Sequence, residues 1–175
     1  LPKPVDYRDL PYHHKEGFFK MDENLLRSKL KFANLVIGNV EETSKTFFSK
    51  YKPAPIGAIM HDMDFYSSTK IALSMLNEDK KYFLPRVFCY FDDTVGDEIE
   101  LYNDYTGQRL AIHEFNSSNN DIKLAIPYNL MAKEQKKLWH YQMWICHFFQ
   151  HHQYNTFIDE DDQQLTINSL PRWHF

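Results

Sequence analysis

The chain has little glycine. Only Gly17, Gly38, Gly57, Gly96 and Gly107 occur in 175 residues, and none are spaced to form a G-x-G-x-x-G turn or a P-loop, which excludes the usual glycine-rich phosphate cradles. There are two cysteines, Cys89 and Cys146. They are far apart in sequence, and Cys89 lies in an apolar run, so it reads as a reduced, packed thiol. No basic run is present, and the net charge is −4, so bulk electrostatics gives no reason to expect nucleic acid as a partner. No apolar stretch reaches membrane length and no secretory leader is evident, so no membrane partner and a cytoplasmic location are the expectation. The first residue is Leu1, in a Pro-, Tyr- and His-rich stretch that reads as a surface loop rather than a protein start. With 43% hydrophobic residues, 14 Phe and 11 Tyr, the chain is expected to fold as one domain over residues 1–175.

Two short polar runs carry the functional signal. HDMDFYSST (61–69) follows the apolar run IGAIM (56–60), and FDDTVG (91–96) follows RVFCY (86–90). Each apolar run reads as a buried strand, and SSTKIALSML (67–76) between them as a helix. Strand, helix, strand is a βαβ unit with parallel strands and a right-handed crossover. Ligands of open α/β sheets bind beyond the carboxyl ends of the strands, where Asp62, Asp64, Asp92 and Asp93 fall. Carboxylates from two adjacent strand tips can share a hard cation such as Mg²⁺. Asp64 reads instead as a helix cap, because Asp is a preferred N-cap residue.

The rest of the chain alternates in the same way. MDENLLRSKLKF (21–32) reads as a short amphipathic helix capped by Asp22, with Leu25, Leu26 and Leu30 inward. ANLVIGNV (33–40) reads as a strand. VEETSKTFFSKY (40–51) reads as a helix with Phe47 and Phe48 inward, stopped by Pro53 and Pro55. RLAIHEF (109–115) is helical, DIKLAIPYNL (121–130) a strand, residues 133–152 an aromatic helix of about five turns, and QQLTINSL (163–170) a last strand. The fold expected is α/β with a mostly parallel sheet and flanking helices.

At 61–69 and 91–96 the chain resembles the macrocin-type O-methyltransferases, which are S-adenosylmethionine- and Mg²⁺-dependent class I methyltransferases acting mainly on sugar hydroxyls. Their D-G-D-L-Y-x-S-T element is similar to the run containing Asp62, Asp64, Tyr66, Ser68 and Thr69, with Met63 for the glycine and Phe65 for the leucine. Their aspartate pair is matched by Asp92-Asp93, the helix after it by GQRLAIHEF (107–115), and their G-D-V-x-E-T by GNVEET (38–43), with Asn39 for the aspartate. The resemblance implies a Rossmann-like class I methyltransferase fold. It implies Asp62, Asp92 and Asp93 as metal ligands, Asp62 also as general base toward a small-molecule hydroxyl acceptor, and Gly38, Asn39 and His61 on the cofactor side. It also implies an N-terminally truncated chain, because the family's glycine-rich cofactor turn precedes everything present.

Other readings stand beside this one. His113 is a second candidate base or a solvated histidine. His147 and His151, spaced i and i+4, are the minimum for a zinc pair, but without a H-E-x-x-H glutamate they read better as packing against Trp139, Trp144, Phe148 and Phe149. Those aromatics suit a core or a homo-oligomer surface. Asp62-Met63-Asp64 is also a D-x-D, the motif by which many glycosyltransferases hold a metal and a sugar nucleotide. A degenerate, non-catalytic binding module is the third reading.

Overall fold

The computed structural model describes residues 1–157. The elements in chain order are α1 (Glu23–Lys29), α2 (Val40–Tyr51), β1 (Ile56–His61), α3 (Tyr66–Ser74), β2 (Phe83–Phe91), α4 (Gly107–Ser118), β3 (Ile122–Ala125), α5 (Tyr128–Met131), α6 (Leu138–Gln142) and β4 (Met143–Phe148). The fold is mixed α/β around a four-stranded sheet of order β1-β2-β4-β3.

The βαβ unit read from the sequence is present: β1, α3 and β2 in succession, with the two strands adjacent and parallel and His61 level with Phe91. The expectation of a mostly parallel sheet does not hold among the described strands. β4 runs antiparallel to both β2 and β3, so β1, β2 and β3 share one direction and β4 fills the gap between β2 and β3 in reverse.

That insertion explains the largest misreading. Residues 133–152 are not one helix. They form the short α6, which turns directly into β4. The run from Met143 to Phe148 alternates: Cys146 and Phe148 are buried and Trp144 packs on the core, while Ile145 and His147 stand on the other side. Period two fits a strand, and short apolar runs of aromatic and β-branched residues are ambiguous by periodicity alone. His147 therefore sits in β4 and His151 in the turn beyond it, so the expected shared helix face does not exist.

The core lies between one sheet face and the helices. Val87, Cys89 and Phe91 of β2 meet Phe48 of α2, Leu73 of α3, and Ala111, Ile112 and Phe115 of α4. Phe48 stacks on Tyr82 with ring centroids 4.6 Å apart, and Phe83 on Phe148 at 4.8 Å. Both thiols are free and buried; burial pushes Cys89 up to about 12 and raises Cys146 as well. On the opposite face Met60 and Phe88 are 77% and 55% exposed. No described helix is long and apolar enough to cross a membrane.

Three local expectations change. Residues 33–39 form no strand and are mostly exposed; apolar content makes no strand where no neighbour accepts its backbone hydrogen bonds. α1 is capped as expected, with Asp22 accepting the Leu25 N–H at 2.9 Å, but it buries no residue and Leu25 is half exposed. The first twenty residues are more than a surface loop. A 3₁₀ turn at Tyr7–Asp9 sends fully buried Asp9 against α3, and Leu10 and His14 are buried too. The final strand expected at 163–170 falls outside the described residues.

Candidate functional site at the sheet's carboxyl edge

β1 and β2 end level with each other, so the residues that follow emerge side by side. Asp62 follows His61. Asp92 and Asp93 open a single 3₁₀ turn directly after Phe91. The chain beyond β1 turns back through Asp64, whose φ of 45° is left-handed, a conformation that Asp tolerates better than most residues. That turn points the Asp64 N–H at Asp93, whose Oδ2 accepts it at 2.9 Å. Asp64 therefore does not cap α3. Asp9 does so from the N-terminal segment: its Oδ1 accepts the Ser67 N–H at 2.8 Å and its Oδ2 accepts the Ser67 hydroxyl at 3.0 Å.

Side chains remote in sequence hold the two strand ends together. Gln108, fully buried at the start of α4, accepts the Asp93 N–H at 3.0 Å and donates to the His61 carbonyl at 3.3 Å. Gln142 of α6 donates to the Asp92 carbonyl at 2.7 Å. The Tyr90 hydroxyl donates to Asp92 Oδ1 at 2.8 Å, and burial pushes that phenol up to about 12, helped by the bond to Asp92.

Above these ends opens a cavity of about 740 Å³, with Asp62, Asp64, Asp92 and Asp93 along one side. His13, His14, Phe19, Tyr102 and Arg109 also line it. Burial pushes the Asp93 carboxyl up to about 6, and the nearby charges of Asp64, Asp92 and Asp62 add to the rise against the Asp64 N–H. Asp64 is raised for the same first reason, with His14 opposing. Carboxylates so placed repel unless protons, hydrogen bonds or a cation offset them.

The donor set has the chemistry a hard divalent cation needs. Among the described residues, Asp62, Asp92 Oδ2 and Asp93 Oδ1 accept no hydrogen bond. The carboxylates are not, however, drawn into ligating geometry: no group of three or more acidic, His or Cys side chains among the described residues is close enough to hold a metal.

The remaining expected site residues lie elsewhere. His113 is exposed on α4 and does not line the cavity. Gly38 and Asn39 form the start of α2, where Asn39 caps the helix by accepting the Glu41 N–H at 2.9 Å; neither lines the cavity. His61 turns inward and stacks on Phe91 with centroids 4.4 Å apart. Its Nε2 is buried without a partner among the described residues, and burial pushes the imidazole down to about 4. The ring borders a separate apolar cavity of about 390 Å³ beside β1, with Phe48, Ile59 and Met75. The three cofactor-side residues are not brought together.

Comparison with known proteins finds no matching family model, no matching curated protein and no matching solved structure.

The sequence reading missed Gln108, Tyr90, Gln142 and His14. Gln108 lies in the GQRLAIHEF run but was given no role there, the other three stand in no motif, and each reaches the site by tertiary packing. The one signal was the apolar spacing around Gln108, which sets a polar residue on the buried face of α4.

Proposed function

We propose that this chain carries the metal-binding, acceptor-activating part of a Mg²⁺-dependent O-methyltransferase acting on a hydroxyl of a sugar or polyol. The observation behind this is the convergence of Asp62, Asp92 and Asp93 from the ends of two adjacent parallel strands into one cavity.

In this reading Asp62, Asp92 and Asp93 would hold the cation, which when bound would supply Lewis acidity toward a substrate hydroxyl. Asp62, whose carboxylate has no partner among the described residues, takes the hydroxyl proton. Gln108 and Tyr90 fix the strand ends so that the carboxylates converge, and methyl transfer then depends mainly on positioning. The methyl donor, S-adenosylmethionine, rests on the sequence resemblance. Among the described residues, Gly38 and Asn39 line neither the acidic cavity nor the apolar one that His61 borders.

A D-x-D glycosyltransferase is the second reading, favoured by Asp64, which lines the same cavity as Asp62 instead of capping α3. Calorimetric titration of the chain with Mg²⁺, and then with S-adenosylmethionine and a UDP-sugar in its presence, separates the two. Saturable Mg²⁺ binding with S-adenosylmethionine affinity supports the methyltransferase, and UDP-sugar binding alone replaces it with the glycosyltransferase. Absence of Mg²⁺ binding removes both and leaves a non-catalytic module.

A further inference from the structure

Beside the acidic cavity, two acceptors compete for one proton. Tyr90 of β2 is level with Met143 of the antiparallel β4, which brings the residue before Met143, Gln142 at the end of α6, against the Tyr90 side chain. The Tyr90 hydroxyl lies 2.8 Å from Asp92 Oδ1 and 3.0 Å from Gln142 Oε1. Turning the Gln142 amide over does not relieve the competition. Its Nε2 donates to the Asp92 carbonyl at 2.7 Å, and a carbonyl only accepts, so Oε1 must face the phenol. Gln142 is 5% exposed and has little room to withdraw. A hydroxyl has a single proton to donate, and the charged acceptor, Asp92, is favoured while its carboxylate stays within reach.

Asp93 is held in a different way. Its Oδ2 accepts the Asp64 N–H at 2.9 Å, and that N–H has no second acceptor among the described residues. Swinging the Asp93 carboxyl away would leave a part-buried backbone donor unpaired, at the full cost of its desolvation. Swinging Asp92 strands nothing, because the phenol turns its O–H to Gln142 Oε1 and the Gln142 amide keeps the Asp92 carbonyl. The described carboxylates are not close enough to ligate a metal, so binding one requires at least one of them to reorient. Of the two tethered by hydrogen bonds at the tip of β2, Asp92 is the one with a built alternative for its partner.

We infer that Tyr90 and Gln142 are positioning residues that work as a hydrogen-bond exchange: the phenol holds Asp92 in the absence of a cation and donates to Gln142 Oε1 when Asp92 turns toward a divalent cation. This rests on the metal site proposed above and names how that site is adjusted. No covalent bond changes, since the proton stays on the Tyr90 oxygen. The tip of β2 stays joined to α6 in both arrangements, through Asp92 in the first and through the phenol and the Asp92 carbonyl in the second.

The test is calorimetric titration with Mg²⁺ of the parent, Tyr90→Phe, Gln142→Met and the double variant, each checked for folding by circular dichroism. Tyr90→Phe should bind Mg²⁺ as tightly as the parent or more tightly, because nothing then restrains Asp92. Gln142→Met should bind about tenfold more weakly, since the phenol has no acceptor once Asp92 turns. Adding Tyr90→Phe to Gln142→Met removes the stranded donor and should recover most of that loss. A tenfold loss in Tyr90→Phe itself would make the phenol a fixed support of the kind that usually orients metal ligands, and would overturn the exchange. An equal effect of Gln142→Met with and without Tyr90→Phe overturns it too. Should Gln142→Met not fold, the direction of the Tyr90→Phe change decides alone. A parent that does not bind Mg²⁺ brings down the metal site and the exchange together, whereas Mg²⁺ binding without this coupling removes the exchange and leaves the metal site standing.

Discussion

The carboxylate of Asp93, one residue into the turn after β2, accepts the backbone N–H of Asp64, three residues beyond β1, at 2.9 Å. This bond ties the two strand tips together, yet Asp93 remains a poor anion, raised to about 6 by burial and by its acidic neighbours. A carboxyl raised in the folded state binds its proton more tightly there than when unfolded, so its stabilising contribution is complete below about 3.8 and is lost as pH rises through about 6.

His61 has the opposite slope. Its imidazole is depressed from 6.5 to about 4 by burial, so its contribution is present above 6.5 and lost as pH falls through about 4. Across the interval from 4 to 6 the two groups oppose each other, and the native chain should show a nearly flat pH dependence from this pair. Asp93→Asn should unmask the histidine, giving a protein that gains roughly 1–2 kcal/mol with rising pH across that window. His61→Phe, which keeps the stack on Phe91 and removes the orphaned nitrogen, should unmask a loss of similar size. Urea denaturation of the three proteins at several pH values checks this; parallel curves would refute it.

Gln108 joins the Asp93 N–H to the His61 carbonyl from a fully buried position. Gln108→Leu leaves both strand-end groups unpaired and should cost about 2–3 kcal/mol by chemical denaturation. Gln108→Glu, which still accepts from Asp93 but adds a charge beside it, should be at least as harmful near neutral pH and recover in acid.

Removing Asp62 or Asp92 should abolish Mg²⁺ binding and leave the fold intact. Asp62→Ala deletes a side chain with no hydrogen-bond partner among the described residues and should lie within about 0.5 kcal/mol of the parent in stability. Asp92→Ala removes one of the two acceptors of the Tyr90 hydroxyl, leaving Gln142 Oε1 at 3.0 Å, and should cost about 1 kcal/mol. Calorimetry with circular dichroism checks both; unaltered Mg²⁺ affinity in either variant would remove that residue from the ligand set.

Asp9→Ala takes the cap from α3 and strands Ser67 and the Val5 N–H, which Asp9 Oδ2 accepts at 2.9 Å. A loss of about 2–3 kcal/mol is expected, since a cap and a buried carboxylate's partners go together. Limited proteolysis should cut the variant first within the N-terminal segment, and cleavage at the parent's rate would count against the tether.

The sequence made the βαβ unit legible because both its strands are apolar runs followed at once by aspartates, so the pleat, the crossover and the functional edge follow from local pattern. β4 was illegible: the Trp144, Cys146 and Phe148 side of the strand also satisfies a helical count, and only the vacancy between β2 and β3 decides the matter. Residues 33–39 failed in the reverse direction, since apolar content suggested a strand, and that segment pairs with none of the described strands. Among site residues, the four aspartates could be read from position. Gln108 and His14 could not, because what matters about each is a contact made across the fold.

β4 is the last described strand in the chain but lies in the interior of the sheet, with Val87 opposite Cys146 on one flank and Leu124 opposite Cys146 on the other. Until residues 143–148 arrive, β2 and β3 present bare hydrogen-bonding edges toward each other with nothing between them, so the native sheet cannot be reached during early synthesis. Such long-range closure slows folding and leaves sticky intermediates. A ribosome-bound chain ending before Met143 is thus expected to engage chaperones, and the rate of refolding should be set by the docking of this one strand.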